Sequence, residues 1–211
     1  MKLCPNCGKS AEGRIFCAFC GANLLQYRVK EESKAPEKPK APEKPKRNLM
    51  ALARAFDSLN MEKNPDGVTY TVVGVKGAPT SIEIPEIVTA IAKQAFYNCP
   101  SLTSVTIPES VKSIGEYAFI NCTSLTSVTI PEGVKSIRDC AFDSCTSLKS
   151  ITIPEGVKSI GECAFYDCTS LTSVTIPESV ESIGDEAFFG CTALEEVDAP
   201  ERFLGCFVHL S

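Results

Sequence analysis

The chain has 211 residues, 44% hydrophobic and 22% charged, the balance of a folded soluble protein of one or two domains. No run approaches the roughly 18 apolar residues of a membrane span, which excludes helical membrane insertion. The opening MKLCPNCG lacks the apolar stretch of a secretory signal, so a cytoplasmic location is expected.

The net charge of −5 hides a division. Residues 1–47 carry 11 Lys/Arg against 5 Asp/Glu, whereas 48–211 carry 10 against 21, so a +6 head precedes a −11 body. A basic head suits a nucleic-acid or other anionic partner. The plainer reading is that six of its cations keep a Pro-rich linker solvated, because no basic, aromatic-interleaved face accompanies them.

In the head, Cys4-Pro5-Asn6-Cys7-Gly8 and Cys17-Ala18-Phe19-Cys20-Gly21 repeat one C-x-x-C-G knuckle. Two residues between cysteines let both thiolates reach one metal, and tetrahedral Zn²⁺ takes four such ligands. Few apolar residues are at hand (Ile15, Phe16, Phe19, Leu24, Leu25), so metal binding, roughly 10–16 kcal/mol in small zinc peptides, would supply the stability. The segment resembles the short zinc ribbons at the N-termini of many bacterial multi-domain proteins, over about residues 2–25. One structural Zn²⁺ on Cys4, Cys7, Cys17 and Cys20 is expected, in a ribbon over residues 1–27. Local disulfides or a redox dithiol are the alternatives. With four cysteine ligands no position is open for catalysis.

Residues 28–47 form a linker in which KAPEKP occurs twice (34–45). Proline at every third position with interleaved charge gives an extended tether, about 3.1 Å per residue. A Pro-rich recognition motif is the functional alternative. From Asn48, a fitting N-cap, Leu49, Leu52, Ala53, Phe56 and Leu59 fall at helical spacing. The turn residues Asn64-Pro65-Asp66-Gly67 stop the run, so 48–67 is expected to be a capping helix and turn at the solenoid's open end.

Residues 68–211 are repetitive. Ile107-Pro108, Ile130-Pro131, Ile153-Pro154 and Ile176-Pro177 recur every 23 residues, with Ile84-Pro85 before them and a degraded Ala199-Pro200 after. Such a period is the mark of a solenoid. Tyr70–Val75 reads as an opening strand. Leu102, Val105 and Ile107 stand in the frame of a leucine-rich repeat, and the alternation Val105-Thr106-Ile107 is that of a strand. Val111 and Ile114 mark a second extended piece, and Ala118-Phe119 is expected on a helical turn. The fold class expected is therefore an α/β repeat solenoid, mainly β with short helical turns, preceded by the small Cys4 zinc ribbon.

These motifs resemble the BspA-type leucine-rich repeat family over roughly residues 70–198: Ile-Pro with a following Val, and Ala-Phe, in five copies, with Ile-Gly in three of them and Asn-Cys in two. The resemblance implies a right-handed solenoid with a parallel sheet on one face. Many relatives are surface or secreted binding proteins, so it also implies protein or glycan binding. A cell-surface adhesin is the corresponding alternative to the cytoplasmic expectation.

Cys99, Cys122, Cys145, Cys168 and Cys191 occur once per repeat and read as small buried hydrophobes. Coils about 4.8 Å apart would bring their Cα atoms into disulfide range, but parallel side chains hold the Cβ atoms too far apart. Cys140 and Cys163 replace Tyr117 just before Ala-Phe. They read as variable surface positions or as a redox pair.

Outward on the strands lie Ser104, Ser127, Ser150, Ser173 and Thr106, Thr129, Thr152, Thr175, flanked by Glu109, Glu132, Glu155, Glu178 and by Lys112, Lys135, Lys158, a row broken at Glu181. Thr favours strands and mixed charge favours solubility. The functional reading is a regular hydroxyl face suited to a repetitive ligand. Past Ala199-Pro200 the apolar Phe203–Leu210 is expected to cover the last coil.

Catalysis finds no support: one histidine, His209, and no phosphate-binding loop, dinucleotide fingerprint or H-E-x-x-H. The expected function is a non-enzymatic, monomeric interaction protein whose sheet face binds protein or glycan. The alternatives are a nucleic-acid-associated factor and a thiol-redox or metal-handling protein.

Overall fold

The structure, a computed structural model, describes residues 57–207. All of them belong to the second of two units, Met1–Lys46 and Arg47–Ser211. The expected zinc ribbon and linker lie outside the described residues, as does most of the expected capping helix.

Thirteen strands follow in the described chain: β1 (Leu59–Lys63), β2 (Tyr70–Val75), β3 (Ser81–Glu83), β4 (Val88–Ile91), β5 (Ser104–Thr106), β6 (Ser113–Ile114), β7 (Ser127–Thr129), β8 (Ser136–Ile137), β9 (Ser150–Thr152), β10 (Ser159–Ile160), β11 (Ser173–Thr175), β12 (Ser182–Ile183) and β13 (Glu196–Asp198). Two sheets result, β1-β2-β4-β6-β8-β10-β12 and β13-β11-β9-β7-β5-β3. Each 23-residue coil contributes one strand to each. The second extended piece expected from Val111 and Ile114 is thus a full second sheet. Except for the antiparallel β1–β2 pair, every pairing is parallel.

Register follows from the pattern. In β5, Val105 is buried between two outward hydroxyl residues, and Val128, Ile151 and Val174 stack on it at the same position. Proline then ends each strand, since it has no N–H to give the next rung. Its carbonyl closes a turn by accepting the Val111 N–H at 3.0 Å on Pro108, and likewise in later coils.

The expected helix does not continue through Leu59: the chain is extended from Leu59 to Lys63. Leu59 pairs with Val75 and is 2% exposed. β2 would otherwise leave an open sheet edge, and an antiparallel neighbour closes it. The turn that follows is the one the sequence signalled. The Gly67 N–H reaches the Asn64 carbonyl at 2.9 Å, and Gly67 has the positive φ (69°) that glycine tolerates.

The Ala-Phe turns are not helical, which makes the described solenoid a β-fold. Tyr117 and Asn121 have left-handed φ of 58° and 60°, as do their counterparts in the other coils. This turns alternate N–H groups along the stack. Tyr117, Phe119 and Asn121 donate to the carbonyls of Asp139, Ala141 and Asp143 in the next coil at 3.0, 2.8 and 2.9 Å. A helical turn would direct those bonds back into its own coil. The ridge of turns is therefore a third ladder beside the two sheets.

The core is a row of repeated layers. Phe96, Phe119, Phe142, Phe165 and Phe188 are at most 1% exposed, and their rings stack at 4.7, 5.2, 5.5 and 5.2 Å within 13° of parallel. At the C-terminal end a 3-10 helix, Glu201–Phe207, lays Phe203 and Phe207 over the last coil, with Phe207 5.1 Å from Phe188. Arg202 bonds the carbonyls of Glu178 and Val180 at 3.0 and 2.8 Å, satisfying acceptors at the end of the stack.

Candidate functional site

The six-stranded sheet places the sequence-predicted hydroxyls in two rows. Ser81, Ser104, Ser127, Ser150 and Ser173 are in register, with Glu196 at the end. Glu83 and Thr106 are paired at one end of the second row, Thr129, Thr152, Thr175 and Asp198 at the other. Neighbouring strands set hydroxyls about 4.8 Å apart across the face, and the two rows stand about 6.8 Å apart along each strand. Thr106, Thr129, Thr152 and Thr175 are exposed, as are Ser127 and Ser150, while Ser104 and Ser173 are half-buried.

Their hydrogen bonding separates this face from an adjoining row that sequence reasoning missed. Thr103, Thr126 and Thr172 direct their hydroxyls at the previous coil's carbonyls, those of Thr80, Thr103 and Lys149, at 2.8, 3.1 and 3.1 Å. These threonines are structural. In the predicted rows, Ser104 donates to Ser81 at 3.1 Å. The hydroxyls of Thr106, Thr129, Thr152 and Thr175 bond to no partner among the described residues, so they are open to a ligand. The signal in the sequence was position: Thr103 precedes the strand by one residue, where a short side chain reaches back to backbone.

The charged rows flank the face as separate residues more than as pairs. Lys112 turns its ammonium to the Glu109 carbonyl at 2.8 Å, Lys158 reaches Glu181 at 3.3 Å, and Arg202 reaches Glu178 at 3.0 Å. All are exposed, so each contributes little to stability.

The cysteine ladder does more than fill space. Cys122, Cys145, Cys168 and Cys191 are wholly buried, and each thiol donates to the carbonyl of the previous coil's phenylalanine: Phe96, Phe119, Phe142 and Phe165, at 3.2–3.3 Å. Burial pushes the Cys145 thiol up to about 12. Cys99 opens the ladder and is only half-buried; the neighbouring Cys122 thiol lowers it to about 7. Cys140 and Cys163 are half-buried neighbours in the Tyr117 row. Burial raises both, Cys163 to about 11. Both are shifted away from the thiolate form that redox chemistry uses. Cys206 is exposed in the 3-10 helix.

Cys4, Cys7, Cys17 and Cys20 lie outside the described residues, as does His209. Among the described residues no group of three or more His, Cys, Asp or Glu could hold a metal ion, and no helix is long and apolar enough to cross a membrane.

Residues 78–195 match the family model for a BspA type leucine rich repeat region, in six copies. Solved structures resemble the chain as well. The leucine rich repeat protein of T. pallidum is 35% identical with a TM-score of 0.64, over 67% of this chain and 68% of that one. A leucine-rich repeat protein from Bacteroides ovatus is 37% identical (TM-score 0.65, 69% of this chain, 41% of that one). A leucine rich cell surface protein from Faecalibacterium prausnitzii is 34% identical (TM-score 0.66, 74% and 41%). The match thus spans about two fifths of the latter two chains. No curated protein matches this chain.

Proposed function

Because the chain belongs to the BspA-type leucine-rich repeat family, we propose that it is a non-enzymatic interaction protein whose six-stranded face binds a repetitive protein or glycan ligand. The observation that carries this reading is the row of exposed threonine hydroxyls, Thr106 to Thr175, without partners among the described residues. The adjoining Thr103 row has its hydroxyls engaged by backbone. Hydroxyls at a fixed spacing offer donors and acceptors to a ligand with a matching repeat. The test is capture by the full chain on immobilised glycan and protein arrays. Deleting 68–211 is expected to abolish capture and deleting 1–47 to leave it intact. The reverse pattern would transfer the activity to the basic head.

In the same proposal, Cys4, Cys7, Cys17 and Cys20 hold one structural Zn²⁺, with the tether of 28–47 joining this head to the solenoid. Two knuckles supply the four thiolates such an ion takes. Natively purified chain is expected to contain about one zinc, lost on thiol modification. Metal-free protein with oxidised head cysteines would refute it. A reducing, cytoplasmic home is proposed, supported by the eight unpaired cysteines among the described residues. The F. prausnitzii relative is a cell surface protein, so fractionation of the source cells decides between the two locations.

A further inference from the structure

The ridge ladder runs the length of the stack and stops at its last coil. Four times, three N–H groups at alternate positions donate to the next coil: those of residues 94, 96 and 98, then 117, 119 and 121, then 140, 142 and 144, then 163, 165 and 167, all at 2.8–3.0 Å. The following triplet, Glu186, Phe188 and Gly190, points the same way by repetition, and its N–H groups have no acceptor among the described residues. Phe188 is 1% exposed. Its N–H is therefore closed to a partner, whereas Glu186 is exposed and Gly190 half-buried, so the outer two donors of the triplet stand open at the edge.

The surroundings of this open edge have one sign of charge. Glu162, Asp167, Asp185 and Glu186 stand in the last two turns, residues 161–167 and 184–190, which contain no Lys or Arg. The nearby cation Arg202 is engaged elsewhere, by Glu178 and by the Glu178 and Val180 carbonyls. Phe189 is 45% exposed and stacks on Tyr166 at 5.4 Å, giving the edge an apolar side. An anion would meet four carboxylates and no cation in these two turns, so the donors do not form an anion site. A neutral carbonyl flanked by positive charge satisfies both features.

We propose that this C-terminal edge of the ridge is a second interaction surface, which takes a lysine- or arginine-bearing peptide segment of a partner protein. Carbonyls of the segment replace those of the missing coil, accepting from Glu186 and Gly190. Its cations face Asp185 and Glu186, and its aliphatic stems lie along Phe189. The surface is independent of the hydroxyl face.

The test is NMR of the ¹⁵N-labelled full chain titrated with a ten-residue alternating Gly-Lys peptide, with alternating Gly-Glu as control. The Gly-Lys peptide is expected to shift the amides of residues 186 and 190 selectively and to slow hydrogen exchange at both at least tenfold at saturation. The variant D185N/E186Q, checked for unchanged melting, should weaken binding at least tenfold, and Phe189→Ser severalfold. Shifts spread over all acidic positions, or equal binding by the variant, would overturn the proposal as bulk charge attraction. So would amides at 186 and 190 that are protected in the free chain and become exchangeable when it is ended after Phe207, because the chain itself would then occupy the edge.

Discussion

The Cys145 thiol lies 3.3 Å from the carbonyl oxygen of Phe119, twenty-six residues earlier. That carbonyl also accepts the Cys122 N–H, at 3.2 Å. The bond ties the end of one turn to the middle of the turn beneath it, at a place closed to water. Cys145→Ala removes both the sulfur's packing and its hydrogen bond. The expected loss is about 1–2 kcal/mol, read from the urea midpoint with the slope unchanged. A loss within error would mean that the thiol only fills space.

Thiol reactivity separates the cysteine rows. Because the Cys99 thiol is lowered to about 7, its thiolate fraction rises steeply between pH 6 and 8. Cys163, raised to about 11, stays a thiol across that range, and Cys140 is raised as well. Iodoacetamide labelling of the native chain, mapped by mass spectrometry, is expected to modify Cys99 well ahead of both and increasingly with pH. Equal rates at Cys99 and Cys163 would contradict this order.

The phenylalanine row carries much of the solenoid's stability. Phe142 lies between Phe119 and Phe165 at 5.2 and 5.5 Å, wholly buried. Phe142→Ala is expected to cost about 3–5 kcal/mol. Phe188→Ala should cost less, since its outer neighbour Phe207 is tilted by 38° and belongs to a short 3-10 segment. Thermal and urea unfolding of the two variants check the order.

On the hydroxyl face, substitution should uncouple binding from folding. Thr129 and Thr152 are exposed and paired in register. T129V/T152V removes two hydroxyls that a ligand would meet and keeps the β-branched shape, so each change stays within about 0.5 kcal/mol. Loss of capture with unchanged melting is the expected result. Retained capture would assign the ligand to another face.

Arg202 joins the C-terminal segment to Glu178 and to carbonyls of the last coil. Arg202→Ala is expected to loosen the 3-10 helix and speed amide exchange at Phe203 and Phe207 severalfold, with the central coils unaffected, as nearest-neighbour stability in a solenoid requires.

The period, the inward residues and the outward hydroxyl rows were legible in the sequence because a 23-residue repeat imposes one environment on each repeated position. Val105, Phe119 and Thr106 need only their own spacing to declare which way they face. What spacing leaves undetermined is where backbone hydrogen bonds go. Ala118-Phe119 suits a helical turn locally, and only the next coil, presenting Asp139, Ala141 and Asp143 carbonyls, makes the left-handed conformation at Tyr117 and Asn121 the better solution. Leu59 fits a helical face, and the open edge of β2 made it a strand. Cys145 reads as a small hydrophobe, and its donor role exists only because Phe119 lies beneath it. Side-chain periodicity is a property of the chain itself. The pairing of polar backbone groups depends on neighbours distant in sequence, and stacking alone supplies them.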